Sequence, residues 1–228
     1  MTTNAPPVPL QPATTAPPSF AALLSISGRQ LLVALRYLLL MTVVLGIVYP
    51  VVVLGVGQLV ANHAANGSPV TDSTGAVVGS ELIGQQFGGD QENAAQWFAG
   101  RPSAAGNGYD AMSSGGSNLA ADSPDLLALV EERRQQIAAE DGVDPADVPP
   151  DALTASGSGL DPHISPEYAA QQVARVAQAR GMDVSEVGRL VEQHTDGRGL
   201  GFLGEPGVDV LVLNLALDAH AADARAAD

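Results

Sequence analysis

The chain has 228 residues, with 25 acidic residues, ten basic residues that are all Arg, and no Cys, so its formal net charge is −15. The absence of Cys and Lys excludes disulfides, thiolate metal sites, Walker-A phosphate loops and Schiff-base chemistry, since each needs a thiol or an ammonium group. A chain this acidic would repel phosphate backbones, which argues against nucleic-acid binding.

The N-terminal segment is rich in Pro and poor in charge. Residues 1–19 contain six Pro and no charged residue, a composition that predicts disorder. We assign residues 1–30 to a disordered cytoplasmic tail. Within the following stretch, residues 20–36 favour either an interfacial helix or the lead-in to a membrane anchor, with Gly28 as a candidate break.

The most apolar run of the chain is Tyr37–Val60, and it contains no charged residue. As a helix it would be about 36 Å long, which exceeds the hydrocarbon core of a bilayer at about 30 Å. Three interpretations are open: a cleaved signal peptide, a buried core helix and a permanent anchor. The run is too long for a signal peptide and has no polar face, so we predict a transmembrane anchor at residues 31–60. Pro50 marks a kink, and Gly46, Gly55 and Gly57 offer close-approach surface to partner helices.

Charges are distributed unevenly about this run. Arg29 and Arg36 precede it, whereas residues 61–228 hold eight Arg and all 25 acids, a net charge of −17. The positive-inside rule then places the N-terminus in the cytoplasm and the domain formed by residues 61–228 outside it. We therefore expect a single-pass protein of the cell membrane.

Three helices are predicted in this domain. Ser123-Pro124-Asp125 and Ser165-Pro166-Glu167 each combine an N-cap residue, a first-turn Pro and an acid, and Gly181 is a stop signal for the second helix. Asp183 and Glu186 have the spacing of a capping box at the start of a third helix.

Strands are predicted at residues 76–87 and 208–217, and short strands at residues 96–100 and 200–203. Residues 208–217 are apolar at both alternating sets of positions, as in a buried strand. The expected fold is a single transmembrane α-helix followed by an extracytoplasmic α+β domain with a small mixed sheet and about three helices.

No catalytic constellation is convincing. Asp161 and His163 suggest two metal ligands, but no third ligand is visible, and the alternative is a turn in which both bond to backbone. Arg101 is expected to pair with an acid or to contact a partner. Two Ser/Gly loops are candidates for anion or nucleotide binding through backbone N–H groups, the alternative being simple tight loops. Their candidate residues are Ser114, Gly115, Gly116, Ser156, Gly157, Ser158 and Gly159.

Several segments carry a resemblance to a known family. They are WFAGRPS (97–103), SGGSNL (114–119), LTASGSGLDPHIS (153–165), GFLGEP (201–206) and VLVLNL (210–215). In this order they resemble the C subunit of the Kdp-type potassium-transporting ATPase, over roughly residues 35–218. The family commonly has Asn near Asp110 and Asp209 and Arg near Gly207, where this sequence departs from it.

The resemblance implies a non-catalytic accessory subunit of an ATP-driven potassium uptake complex. Its implied partners are a channel-like potassium-binding subunit and a P-type ATPase subunit, with membrane lipid around the anchor. ATP and potassium would be used by the complex, and the subunit would need no cofactor of its own. Two roles are implied: assembly and stability of the complex, or a catalytic chaperone that raises the affinity of the ATPase subunit for ATP. The residues alone, without the resemblance, would suggest a membrane-anchored extracytoplasmic binding module or hydrolase.

The acidic domain offers one further hypothesis. A cluster formed by Glu140, Asp141, Asp144 and Asp147 would raise the local potassium concentration if it lay near the channel entrance. The alternative use of these acids is solubility alone.

Overall fold

The structure is a computed structural model that describes residues 20–72, 74–88 and 93–227. The Pro-rich segment at residues 1–19 therefore lies outside the described residues. The chain divides into two compact units, residues 1–61 and residues 62–228.

The first unit is one long helix. Helix α1 (Phe20–Val43) passes through a π-helical turn (Val44–Val48) directly into α2 (Tyr49–Val60). Pro50 has no N–H to donate, and its ring crowds the preceding turn. The Tyr49 N–H accordingly bonds five residues back, to the Val44 carbonyl, and this wider turn carries the helix past Pro50.

The apolar part of this helix is Gly28–Val60, with 33 residues, and its most apolar stretch has a mean hydropathy of 2.6 and no buried residue. At about 1.5 Å per residue it is about 50 Å long, enough to cross a bilayer with some tilt. The predicted anchor at residues 31–60 lies within it.

Two details of the N-terminal prediction are wrong. The helix begins at Phe20, so residues 20–30 are helical and do not belong to a disordered tail. It also continues through Gly28 without a break. The reason is that no Pro follows Pro18 until Pro50, and one Gly costs a helix only about 1 kcal/mol.

The second unit combines helices with two small antiparallel sheets. Strands β1 (Pro69–Thr71) and β2 (Val77–Ser80) form a hairpin with an irregular register between Val70 and Thr71. In the second sheet, β5 (Gly207–Asp209) lies between β3 (His163–Ile164) and β4 (Thr195–Asp196). Helices plus a small sheet are thus confirmed. The sheet is not mixed, because β3 and β4 both run antiparallel to β5.

All three predicted helices are present. They are α4 (Pro124–Asp141), α6 (Pro166–Arg180) and α7 (Val184–Gln193). The Ser165 hydroxyl accepts the Tyr168 N–H at the start of α6, and Gly181 ends that helix at φ 66°. The Asp183 carboxylate accepts the Ser185 N–H at the start of α7. Two short helices, α3 (Asn62–Ala65) and α5 (Pro150–Leu153), and 3-10 turns at residues 94–96 and 145–147 complete the connections.

The strand predicted at residues 208–217 is largely wrong. Only Gly207–Asp209 is extended, and α8 (Val210–Ala227) begins at the next residue. The Asp209 carboxylate accepts the Val212 N–H at 3.0 Å and so caps the helix. The first two turns of this helix are buried on several sides, so they carry no polar stripe. Without that stripe the sequence pattern does not distinguish a helix from a buried strand.

The other strand predictions have mixed outcomes. Strand β2 lies inside the predicted segment 76–87. Residues 96–100 contain the end of a 3-10 turn followed by irregular chain, and residues 200–203 form a tight turn closed by a bridge between Gly199 and Leu203. Neither segment forms the regular hydrogen-bond ladder of a β-strand.

The core of the second unit lies between α6, α7, the start of α8 and β5. Its largest fully buried side chains include Phe98, Leu213 and Leu217. Asn214 on α8 is fully buried and bonds to both backbone groups of Phe98, at 2.9 Å and 3.0 Å. This pair fixes segment 97–103 against α8.

Candidate functional site

Two of the segments that carry the family resemblance, 97–103 and 153–165, meet at Arg101. The Arg101 guanidinium donates from Nη1 to Asp161 Oδ2 at 3.0 Å and from Nη2 to the Thr154 carbonyl at 3.3 Å. The expected pairing of Arg101 with an acid is therefore confirmed. Segment 97–103 is held in turn against α6, since the Gln172 side chain bonds to both backbone groups of Ala99.

The two Ser/Gly loops contact each other directly. Ser158 O accepts the Gly115 N–H at 2.8 Å and the Ser114 hydroxyl at 2.9 Å. The Ser156 and Ser158 hydroxyls lie 3.3 Å apart. The structure thus brings together candidate residues that are some 40 positions apart in the sequence.

Where the loops meet, glycine is required at position 159 and closely fitted at position 116. Gly159 has φ 67°, and a Cβ there would lie 2.6 Å from the Gly115 carbonyl oxygen. A Cβ at Gly116 would lie 3.2 Å from the Gly157 carbonyl oxygen. Any side chain at Gly159 would therefore push the two loops apart.

The contacts between the two loops occupy two of the backbone N–H groups that were expected to bind an anion. The Gly115 N–H donates to Ser158 O, and the Gly159 N–H donates to Ser156 O at 3.2 Å. These two donors are directed at protein carbonyls, so they are not directed at a common anion position. Binding of a nucleotide by the seven candidate residues stays a prediction.

Tyr109 extends the same network. Its hydroxyl donates to the Arg101 carbonyl at 2.5 Å, and its N–H donates to the Ser103 hydroxyl at 2.7 Å. Burial, reinforced by the charge of Asp161, raises the pKa of Tyr109 to about 12. The phenol therefore stays protonated at neutral pH and serves as a hydrogen-bond donor.

Asp161 and His163 lie in a turn in which the Asp161 side chain bonds to backbone, as the alternative to a metal site had it, whereas the His163 ring lies beside the Asp161 carboxylate. Asp161 Oδ1 accepts the His163 N–H at 3.0 Å, and the imidazole Nδ1 lies 3.8 Å from the same oxygen. The His163 ring, with the His163 N–H and Arg101, lowers the pKa of Asp161 to about 2. Among the described residues no group of three or more His, Cys, Asp or Glu is arranged to hold a metal ion.

A cleft of about 560 Å³ lies beside this turn. Its polar walls are Arg101, Asp151, Asp161, His163, Ser165, Asp196 and Glu205. Asp151 is occupied by both the N–H and the hydroxyl of Ser165, at 2.7 Å and 2.8 Å. The acids of the cleft are thus partly committed to holding α5, α6 and the turn in place.

Sequence reasoning missed the contacts that attach segment 93–103 to α6. The Arg180 guanidinium carbon lies 4.5 Å from the centre of the Trp97 ring, and Arg180 Nε donates to the Gln96 carbonyl at 2.6 Å. Arg175 Nη1 donates to the Ala95 and Trp97 carbonyls, both at 3.0 Å. The sequence shows only that Arg175 and Arg180 lie on one helix, and this spacing does not predict which groups they contact.

The loops around Arg101 thus form a hub in which side-chain hydrogen bonds join one loop to another. Comparison with known proteins adds what the geometry leaves open. Over residues 31–219 the sequence matches the family described as KdpC, K+-transporting ATPase, c chain.

Three curated relatives illustrate the similarity. The potassium-transporting ATPase KdpC subunit of Kineococcus radiotolerans is 58% identical over 189 residues, which cover 83% of this chain and 93% of that protein. The subunit of the same name from Mycobacterium tuberculosis is 55% identical over 192 residues, or 83% of this chain and 98% of the relative. The one from Methylococcus capsulatus is 51% identical over 187 residues, or 82% and 95%.

Proposed function

The chain belongs to the KdpC family of K+-transporting ATPase c chains, and from this premise we propose that it assembles and stabilises the potassium-transporting complex without performing chemistry itself. The observation that carries the proposal is the family match, which spans both the apolar helix and the hub of loops. The partners proposed for it are a channel-like potassium-binding subunit and a P-type ATPase subunit. ATP and potassium would be used by the complex.

The form of the hub supports a binding role. Arg101, Asp161 and Tyr109 are all engaged in holding loops to one another. A surface whose loops are fixed in this way is preorganised for docking, because little conformational entropy is lost when a partner binds.

The orientation proposed for the chain has its N-terminus in the cytoplasm and residues 61–228 outside. Arg29 and Arg36 precede the apolar run, and no Lys or Arg follows it until Arg101. The positive-inside rule favours this arrangement. A domain on that side cannot contact cytoplasmic ATP, so assembly is the preferred role and the catalytic chaperone is the second candidate.

The test is to purify the affinity-tagged full-length chain from membranes that also contain its partner subunits. We expect a channel-like subunit and an ATPase subunit to be recovered with it in fixed ratio. Deletion of the chain should lower the yield of the remaining complex. Recovery of the chain alone, or turnover of an ester or peptide by the purified chain, would contradict the proposal.

The same preparation separates the two roles. Under the assembly role, Ser114→Ala and Ser158→Ala leave the Michaelis constant of the complex for ATP unchanged, whatever they do to its yield. An increase in this constant at normal yield would favour the catalytic chaperone and a nucleotide site at the Ser/Gly loops.

A further inference from the structure

The hairpin that joins β4 to β5 ends in an apolar tip, formed by Leu200, Phe202 and Leu203. At its base Arg198 Nη2 and Glu205 Oε2 form an ion pair at 2.6 Å. Further out, Gly199 and Leu203 exchange two backbone hydrogen bonds, both 2.8 Å long. The hairpin therefore holds its tip in a defined conformation.

The turn at the tip is built from an unfavourable residue. Gly199 O accepts the Phe202 N–H at 3.2 Å, and both central residues have positive φ, 52° at Leu200 and 82° at Gly201. Turns of this kind favour Asn or Asp before Gly, because a bulky side chain in the left-handed region is strained. Leu200 thus costs the fold free energy that Asn would not.

The strain at Leu200 is not offset by burial of its side chain. Leu200 is 84% exposed, and Phe202 and Leu203 are 70% and 54% exposed. A strained, exposed apolar residue flanked by two more exposed apolar side chains is not explained by folding. Such residues are typical of the anchors of a binding surface, which insert into a pocket of a partner.

From this geometry we infer that the apolar tip docks into an apolar pocket with a basic rim on another subunit of the potassium-transporting complex. The inference rests on the proposed function. The charge of the surroundings selects the partner: Arg198 offsets Glu205 at the base of the hairpin, Asp196 on β4 adds a negative charge, and residues 61–228 carry a net charge of −17. Anionic lipid headgroups would repel this surface, whereas a pocket rimmed by Lys or Arg would attract it.

The direct test is Phe202→p-benzoylphenylalanine in the full-length chain, made together with its partner subunits and irradiated in the membrane. The matched control is Met112→p-benzoylphenylalanine, since Met112 is 95% exposed and lies outside the hairpin. We expect a covalent adduct with one partner subunit from position 202 and little adduct from position 112. Adducts with lipid only, adducts with a second copy of this chain, or no adduct would overturn the inference.

A second variant separates docking from folding. Leu200→Asn supplies the residue that the turn favours, so the thermal unfolding temperature should stay the same or rise. Loss of an anchor of a binding surface should lower the recovery of partner subunits by about tenfold. Unchanged recovery would overturn the inference. If the wild-type chain recovers no partner at all, the proposed function fails, and the inference fails with it.

Discussion

Arg175 on α6 donates from Nε to Asp141 Oδ1 on α4 at 2.7 Å, and only 14% and 3% of the two side chains are exposed. The second carboxylate oxygen of Asp141 accepts from Gln171 Nε2 at 2.7 Å. Asp141 is therefore a structural residue that holds two helices together. It is not a free member of the acidic cluster Glu140, Asp141, Asp144 and Asp147.

Replacing this buried acid should destabilise the second unit. Asp141→Ala leaves the Arg175 guanidinium buried without a counter-charge, which should lower the free energy of unfolding by about 3 kcal/mol. Glu140→Ala is the matched control, because Glu140 is exposed and its change should stay within about 0.5 kcal/mol. Urea unfolding of the full-length chain in detergent, followed by the fluorescence of the single Trp97, measures both. Equal effects of the two changes would show that the ion pair contributes little.

The carboxyl of Asp209 should be a source of instability at neutral pH. Asp209 is buried, and burial raises its pKa. In the unfolded chain the pKa of Asp209 is about 3.9, and in the folded chain it is higher. Below about pH 3.9 Asp209 is protonated in both states, and its full contribution to stability is present. That contribution is lost as the pH rises through the pKa of Asp209 in the folded chain. Asp209→Asn keeps the cap to the Val212 N–H without the buried charge.

We therefore expect Asp209→Asn to stabilise the chain by about 1 kcal/mol at pH 8. The gain should shrink towards pH 5, because the nearby Asp161 carboxylate raises the pKa of His163, which lies across the sheet, and the protonated His163 ring attracts Asp209. Below about pH 4 the gain should vanish, since Asp209 is then protonated. Thermal unfolding across this range tests the sign. A constant gain at all pH values, or a loss at pH 8, would contradict the assignment.

The sequence predicted the elements that local chemistry determines. Ser165, Asp183 and Gly181 mark helix ends through their own side chains or backbone, so α6 and α7 could be placed before the structure was known. Residues 208–217 failed because a helix buried on several sides has no polar stripe. Asn214 was the available sign, since a buried Asn needs a partner, but that partner, Phe98, is 116 residues away.

For the candidate site, too, the sequence predicted local features but not the contacts between distant segments. The Ser/Gly loops were recognised as loops, but their contact with each other depends on tertiary folding and has no local signature. The pairing of Arg101 with an acid was expected, whereas its identity as Asp161 was not. The role of Asp141 was misjudged, because an acid in a charged segment gives no sign that α6 will bury it.

The glycines of the apolar helix give a test of how it packs. Nothing lies within 4 Å of the positions that a Cβ would take at Gly46 and Gly55, so a larger residue fits the isolated helix and should also favour helix formation. In the complex, Gly46→Leu or Gly55→Leu should weaken assembly while leaving membrane insertion intact, because the glycines permit close approach of partner helices. Val52→Leu is the control. Normal stoichiometry in a purified complex of either Gly variant would remove the packing hypothesis.

The sidedness of the second unit decides between the two proposed roles. With Arg29 and Arg36 on the cytoplasmic side, protease added outside intact, wall-stripped cells should digest the chain after about Ala61. The tail before the apolar helix should be protected until the cells are lysed. Protection of residues 62–228 in intact cells, with digestion only in inverted vesicles, would reverse the orientation and restore the catalytic chaperone as the preferred role.

The remaining exposed acids of the cluster permit a test of potassium attraction. Because Asp141 is buried and the Asp144 carboxylate accepts the Ala146 N–H at 2.8 Å, the suitable change is Glu140→Gln with Asp147→Asn, which leaves both contacts in place. Two charges about 15 Å from a channel entrance change the local potassium concentration by about 2.5-fold in water without salt, and by about twofold at 0.01 M salt. This requires dilute medium, where the screening length is about 30 Å at 0.01 M salt.

The double variant should therefore raise the apparent Michaelis constant for potassium by about 1.5- to 2-fold at low ionic strength. The difference should disappear as a non-transported salt is added, since screening at 0.15 M falls to about 8 Å. Uptake is measured with equal amounts of complex in the membrane. If the variant and the wild type share the same constant at every salt concentration, these two acids lie too far from the entrance to act on potassium, and their use is solubility.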